Sequence, residues 1–176
     1  MKKVKQMLGL LVMLLLVSAC ASERVVYVPK QYGPGSVVAV WDLEDLSIIE
    51  NPVLADMKDF LELTIIDTLR EKGGYEMIER QKLVLVLEEL NLGSSDLADE
   101  SSRLEVGKIL GAQLMVFGGY QLVADELRVD LRMVEVESGA VIKADEVTRK
   151  SADMDGWLKT AEEAAVMLVE TKEVSD

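Results

Sequence analysis

The chain of 176 residues contains one cysteine, Cys20. A single thiol cannot close a disulfide within the chain, so whatever fold forms is held by packing alone. The position of that cysteine constrains the chain further. It ends the run Val17-Ser18-Ala19-Cys20, behind an apolar stretch that starts at Met7, with Lys2, Lys3 and Lys5 ahead of it. Basic residues, a short apolar middle and small residues are the parts of a secretory signal peptide. The apolar stretch is too short to cross a hydrocarbon core of about 30 Å, which takes about 20 residues.

A cysteine directly after small residues resembles the lipobox of bacterial lipoproteins. That resemblance implies a diacylglyceryl group on the Cys20 thiol, removal of residues 1–19, and acylation (palmitate) of the new amino terminus. The alternative is an ordinary residue just past an Ala-x-Ala-type cleavage site. Several acyl chains would anchor the protein stably, because each buried methylene contributes about 0.8 kcal/mol. The next residue is Ala21 and not Asp. Under enteric-type sorting this implies the outer membrane, in its inner leaflet, facing the periplasm.

Removing the signal takes away three lysines and no acids. The 19 basic residues fall to 16 while all 32 acids remain, so the mature chain carries a formal net charge of −16. Phosphate recognition needs clusters of Lys and Arg, so no nucleic-acid partner is expected. The same charge repels anionic headgroups, which leaves the lipid as the membrane device. There is no histidine. Imidazole acid–base work, Ser-His and Cys-His pairs and nitrogen ligation of zinc are therefore closed to this chain, and no cofactor is expected.

Residues 20–36 read as a lipidated tether, broken by Pro29, Gly33, Pro34 and Gly35. Residues 37–172 read as one domain and 173–176 as a tail. The β-branched run VVAVWDL suits a strand buried on both faces. After a loop over residues 43–51, Asn51-Pro52 opens a helix to about residue 72, with Met57, Phe60, Leu61, Thr64, Ile65, Thr68 and Leu69 as its inward stripe. A short strand at 75–79 follows, then a helix at 81–92 whose apolar residues on several sides predict deep burial, and a helix at 100–110 with Leu104, Val106, Ile109 and Leu110 inward. A strand at 113–122 contains Gly118-Gly119, which allows a bulge or a close backbone approach. Leu127, Val129, Leu131 and Met133 alternate with charged residues, and the alternation slips at Val134, the mark of a bulge. Glu137-Ser138-Gly139 is a turn, residues 140–149 are a charged edge strand, and residues 155–171 are a helix with Trp157, Ala161, Ala164, Ala165 and Leu168 on one face. The order β-α-β-α-α-β-β-β-α predicts an α/β domain, a mixed β-sheet of about five strands covered by helices.

Several of these runs together resemble a known family. VVAVWDL, GYEMIERQKLVLVLEELNL, GKILGAQLMVFGGY and RMVEVESGAVI, with the junction Glu79-Arg80 and the step Leu110-Gly111-Ala112, are similar to the periplasmic domain of the curli assembly/transport (CsgG-like) lipoproteins. The likeness extends over about residues 37–170. It implies a lipid-anchored, periplasmic assembly or secretion-accessory component that binds an envelope protein partner and is capable of homo-oligomers. Channel-forming members add long membrane hairpins. Here only residues 123–126 join the two strands, so the pore-forming part is absent from this reading. Related lipoproteins of this shape serve flagellar outer-membrane assembly or activate cell-wall synthases, and those roles stand as the alternative function.

Candidate sites are few. Cys20 is the lipidation site, and Glu79 and Arg80 are a candidate structural or interface pair, with Arg80 at a helix entry tying down a nearby carboxylate or carbonyl. Asp42, Glu44 and Asp45 fit no calcium-loop spacing. Glu88-Glu89 diverge by about 100° on a helix and make a poor acid–base pair, and Gly107-Lys108 lacks the rest of a phosphate loop. A non-catalytic protein is expected, and a carboxylate-based envelope enzyme is the remaining chemical alternative.

Overall fold

The computed structural model of the protein describes residues 30–93, 97, 99–150 and 153–170. From Gln31 onward the chain forms one compact unit. Its described residues form six strands, β1 (Val37–Val40), β2 (Glu44–Asp45), β3 (Glu76–Met77), β4 (Leu114–Val123), β5 (Glu126–Glu135) and β6 (Val141–Lys150), and five helices, α1 (Pro52–Asp56), α2 (Lys58–Gly73), α3 (Arg80–Glu89), α4 (Glu100–Ile109) and α5 (Met154–Val169). The sheet order is β3-β1-β4-β5-β6, with β2 paired separately to β4. β1 is parallel to both β3 and β4, whereas β4, β5 and β6 are an antiparallel meander. The α/β class, the mixed sheet and the single domain are those expected from the sequence, with one strand more.

The alternation of β1 explains its place in the centre. Val38, Val40 and Leu43 point into one core, and Ala39 and Trp41 into another on the opposite face. The larger core lies between the sheet and the pair α2 and α5. It is built from Leu61, Ile65 and Leu69 of α2, from Leu127, Val129, Leu131 and Met133 of β5, and from Trp157, Ala161, Ala164, Ala165 and Leu168 of α5. Small residues on α5 let it lie close to the sheet. The second core is smaller. It joins Leu83 of α3 and Val106 of α4 to Met115, Phe117 and Val134 of the sheet. β6 is an edge strand, and the register shifts between Met133 and Val134 where the alternation of the sequence slips.

Four local expectations are corrected. The loop over residues 43–51 contains β2, which pairs Glu44 with Gly119 and Asp45 with Tyr120. The helix from Pro52 is two helices, because Met57 caps α1 and also begins α2. Within α2 the stripe keeps Leu61, Ile65, Thr68 and Leu69 inward, but its edge differs: Phe60 is 55% exposed, and Glu62, which the stripe leaves out, is 2% exposed. Third, α3 buries only Leu83, while Val84 and Leu85 face outward. Fourth, Ile109 of α4 is exposed, because α4 turns Val106 and Gly107 to the sheet instead.

Two glycine positions set the spacing of these layers. A Cβ on Gly119 would stand 2.7 Å from the Glu44 carbonyl oxygen, so β2 can dock against β4 only without a side chain there. A Cβ on Gly118 would stand 2.3 Å from the Asp130 carbonyl oxygen across the ladder. The close approach expected at this pair is the one observed.

Candidate functional site

The sequence-predicted residues fall in different places. Cys20 lies outside the described residues. Glu79 is the N-cap residue of α3, and its side chain makes no cap hydrogen bond. Arg80, next to it, turns back to α2 and the end of β1. Its guanidinium donates to Glu62, lies 3.2 Å from an Asp42 oxygen and 3.8 Å from one of Asp59. The other Glu62 oxygen accepts from the Leu43 backbone N–H at 2.8 Å, and Lys58 stands 3.8 Å from it. A buried carboxylate with a backbone donor and two cations nearby has its charge compensated. The structure therefore brings Arg80 together with Glu62, a residue the sequence reading missed, and not with Glu79. The signal for Glu62 is its spacing: it lies four after Lys58, three before Ile65 and seven before Leu69, on the inward side of α2.

This knot fixes the segment after β1, and that segment forms one wall of a cleft. The cleft has a volume of about 480 Å³ and runs along the sheet face that α3 and α4 leave open. Trp41, Glu44, Leu46 and Arg103 stand on one side, Phe117 and the glycine pair form the floor, and Asp130, Arg132 and Glu146 rise from the meander. Arg103 is 17% exposed on its side chain. It donates to the Leu97 carbonyl at 2.7 Å and to Glu44 at 2.9 Å, and lies 5.8 Å from the Trp41 ring centre. Arg132 repeats the arrangement, 5.7 Å over the Phe117 ring and paired with Glu100 of α4. Each guanidinium is held between an aromatic face and a carboxylate, which gives the cleft a rigid polar lining. A second groove of about 330 Å³ shares Trp41, Asp42 and Arg103 and continues toward Arg80 and Val84 of α3.

Asp42, Glu44 and Asp45 do not converge. Asp42 faces Arg80 and Lys58, Glu44 faces Arg103, and Asp45 accepts from the Ser47 backbone N–H at 2.9 Å. Burial, and next the Asp45 carboxylate beside it, push the Tyr120 phenol up to about 12, so it stays a neutral donor to Asp45. Among the described residues no group of three or more His, Cys, Asp or Glu side chains is placed to hold a metal ion. Glu88 and Glu89 are exposed on α3. Gly107 is a packing residue: a Cβ there would stand 2.5 Å from the Met115 sulfur, so the glycine lets α4 reach the sheet. No described helix is long and apolar enough to cross a membrane.

Residues 55–123 match the family model of the curli production assembly/transport component CsgG. That stretch contains α2, α3, α4 and β4, so the knot at Arg80 and the cleft floor both lie within it. No curated protein sequence matches the chain. Among solved structures, the LpoB C-terminal domain from Salmonella enterica is similar with a TM-score of 0.60 at 16% identity, over 68% of this chain and 86% of that one. The LpoB C-terminal domain from Escherichia coli follows with a TM-score of 0.55 at 16% identity, over 69% and 87%. The dodecamer of a PelC point variant from Paraburkholderia phytofirmans gives a TM-score of 0.50 at 18% identity, over 80% of this chain and 96% of that one. Residues 55–123 are thus similar to the CsgG family, and the structural neighbours share the fold of the chain.

Proposed function

We propose that this CsgG-like chain is a lipid-anchored lipoprotein of the cell envelope that binds a protein partner and performs no chemistry of its own. The observation that carries the reading is the family match over residues 55–123, set within a fold shared with the LpoB C-terminal domain. The cleft supports it as well. Its arginines are engaged by carboxylates and aromatic rings, an arrangement suited to holding a surface in shape. On this reading Cys20 carries the lipid, the domain faces the periplasm from the inner leaflet of the outer membrane, and its work is assembly of a surface structure or secretion.

Two experiments test it. Cys20→Ser should move the protein from the membrane to the soluble fraction while its circular dichroism stays unchanged. A variant that still sediments with membranes would reveal a second attachment. Crosslinking of the lipidated protein in cells should recover an envelope protein, and a chain that is crosslinked to nothing at any surface position would overturn the partner-binding role.

Self-assembly is a second reading, favoured by the PelC dodecamer, which covers 80% of this chain. Sedimentation velocity on the mature protein distinguishes it, since a ring of protomers sediments far from a monomer.

A further inference from the structure

The proposed partner-binding role leaves open which surface is used and what it fits, and the inference here rests on that role. One stretch of the surface stands apart. Ile48 and Ile49 are 86% and 79% exposed, and Val53, Phe60 and Leu63 are each more than half exposed. Single exposed apolar residues are ordinary, but here five large ones fall within one short stretch of chain, and Phe60 and Leu63 stand one turn apart on α2. They are held in place. Leu46 donates its backbone N–H to the Tyr120 carbonyl at 2.8 Å, and the Ser47 hydroxyl accepts from the Leu122 backbone N–H at 3.1 Å. On the far side Asn51 caps α1, accepting from the Leu54 N–H at 3.1 Å, with Pro52 opening the first turn and Leu54 and Met57 buried beneath. The isoleucines therefore sit on a loop fixed at both ends, and their exposure is built into the fold.

The charge around these residues selects an occupant. Glu50, Asp56 and Asp59 are exposed among them, and of the three only Asp59 has a base nearby among the described residues, Arg80 at 3.8 Å. The one base of the stretch, Lys58, is half-buried and turned toward Asp42 and Glu62, 3.8 Å from each. We infer that the strip from Ile48 to Leu63 is a docking surface for a basic amphipathic segment of a partner protein. The apolar side chains of that segment would cover Ile48, Ile49, Val53, Phe60 and Leu63, and its Lys and Arg residues would stand over Glu50 and Asp56. A two-fold contact with a second copy would bring the same carboxylates onto each other, and an anionic lipid surface meets the same repulsion.

The test places a photo-crosslinking residue at Ile49, and separately at Ala144 on the open face of the meander, in the full lipidated chain in cells. At Ile49 the expected product is a protein whose crosslinked peptide, by mass spectrometry, carries apolar residues flanked by Lys or Arg. Adding Glu50→Lys and Asp56→Lys to the same chain should lower that yield at least fivefold, with the melting curve unchanged. A crosslink from Ile49 to lipid, to a second copy of this chain or to an acidic peptide overturns the inference. So does an Ile49 position that stays silent while Ala144 captures a protein, an outcome that leaves the partner-binding role standing. Silence at both positions overturns the inference and counts against that role as well.

Discussion

The two faces of the sheet are finished differently. On one, α2 and α5 cover the strands from β1 to β6, and the side chains between them are almost wholly buried. On the other, α3 and α4 cover only the end of the sheet near β1 and the start of β4, and the rest of that face lines an open cleft. The apolar content of the helices does not explain the contrast, since α3 carries Leu83, Val84, Leu85, Val86 and Leu87 in succession. The difference lies in spacing. α5 places Trp157, Ala161, Ala164, Ala165 and Leu168 on one stripe, so one contact buries all of them, whereas a continuous run wraps around α3 and a single contact buries only Leu83. One face is built for stability, and the other leaves surface free.

Substitutions can break that comparison. Leu61→Ala, in the covered core, should lose about 2–5 kcal/mol of unfolding free energy in urea titrations, as large-to-small core changes do. A loss near that of a surface residue would mean the covered face is not the stabilising one. Arg80→Ala should cost less, about 1–3 kcal/mol, because Arg80 is 43% exposed and Lys58 remains beside the buried Glu62. It should also raise the acrylamide accessibility of Trp41, since Arg80 holds the segment that forms the cleft wall. A smaller effect is expected with pH. The Tyr120 phenol is raised from 10.0 to about 12 in the folded chain, so the stability it contributes is complete below pH 10 and is lost as the pH rises toward 12. Tyr120→Phe should flatten that part of the urea-midpoint profile. Smallest of all, Leu85→Ser on the exposed side of α3 should change stability by less than about 0.5 kcal/mol. A loss above about 1 kcal/mol would show that α3 is covered after all.

Strict alternation made β5 legible, down to the slip at Val134, and the one-sided stripe of α5 made that helix legible too. The charged residues of β6 identified an edge. What escaped the sequence depended on contacts between distant parts. β2 is two residues long and exists because Gly119 leaves room for the Glu44 carbonyl, a fact no local pattern contains. Phe60 and Glu62 flank the stripe of α2 on opposite sides, and contacts from outside the helix decide which of the two is buried. Glu62 is buried because Leu43 and Arg80, far along the chain, supply its donors. Of the cleft, the glycine pair was visible beforehand, but the pairing of Arg103 with Trp41 and of Arg132 with Phe117 was not, since each joins a helix or strand to a ring on another strand.

β1 has hydrogen-bonded neighbours on both sides, and both run parallel to it. It is also the first strand among the described residues, so tension arriving from the amino-terminal side reaches the middle of the sheet and not its edge. A pull along that strand must slide it past β3 and β4 together, loading both ladders at once, whereas a pull on β6 would open one ladder bond by bond. Under an amino-terminal anchor the load would thus fall on a strand with two parallel ladders, which resist it in shear.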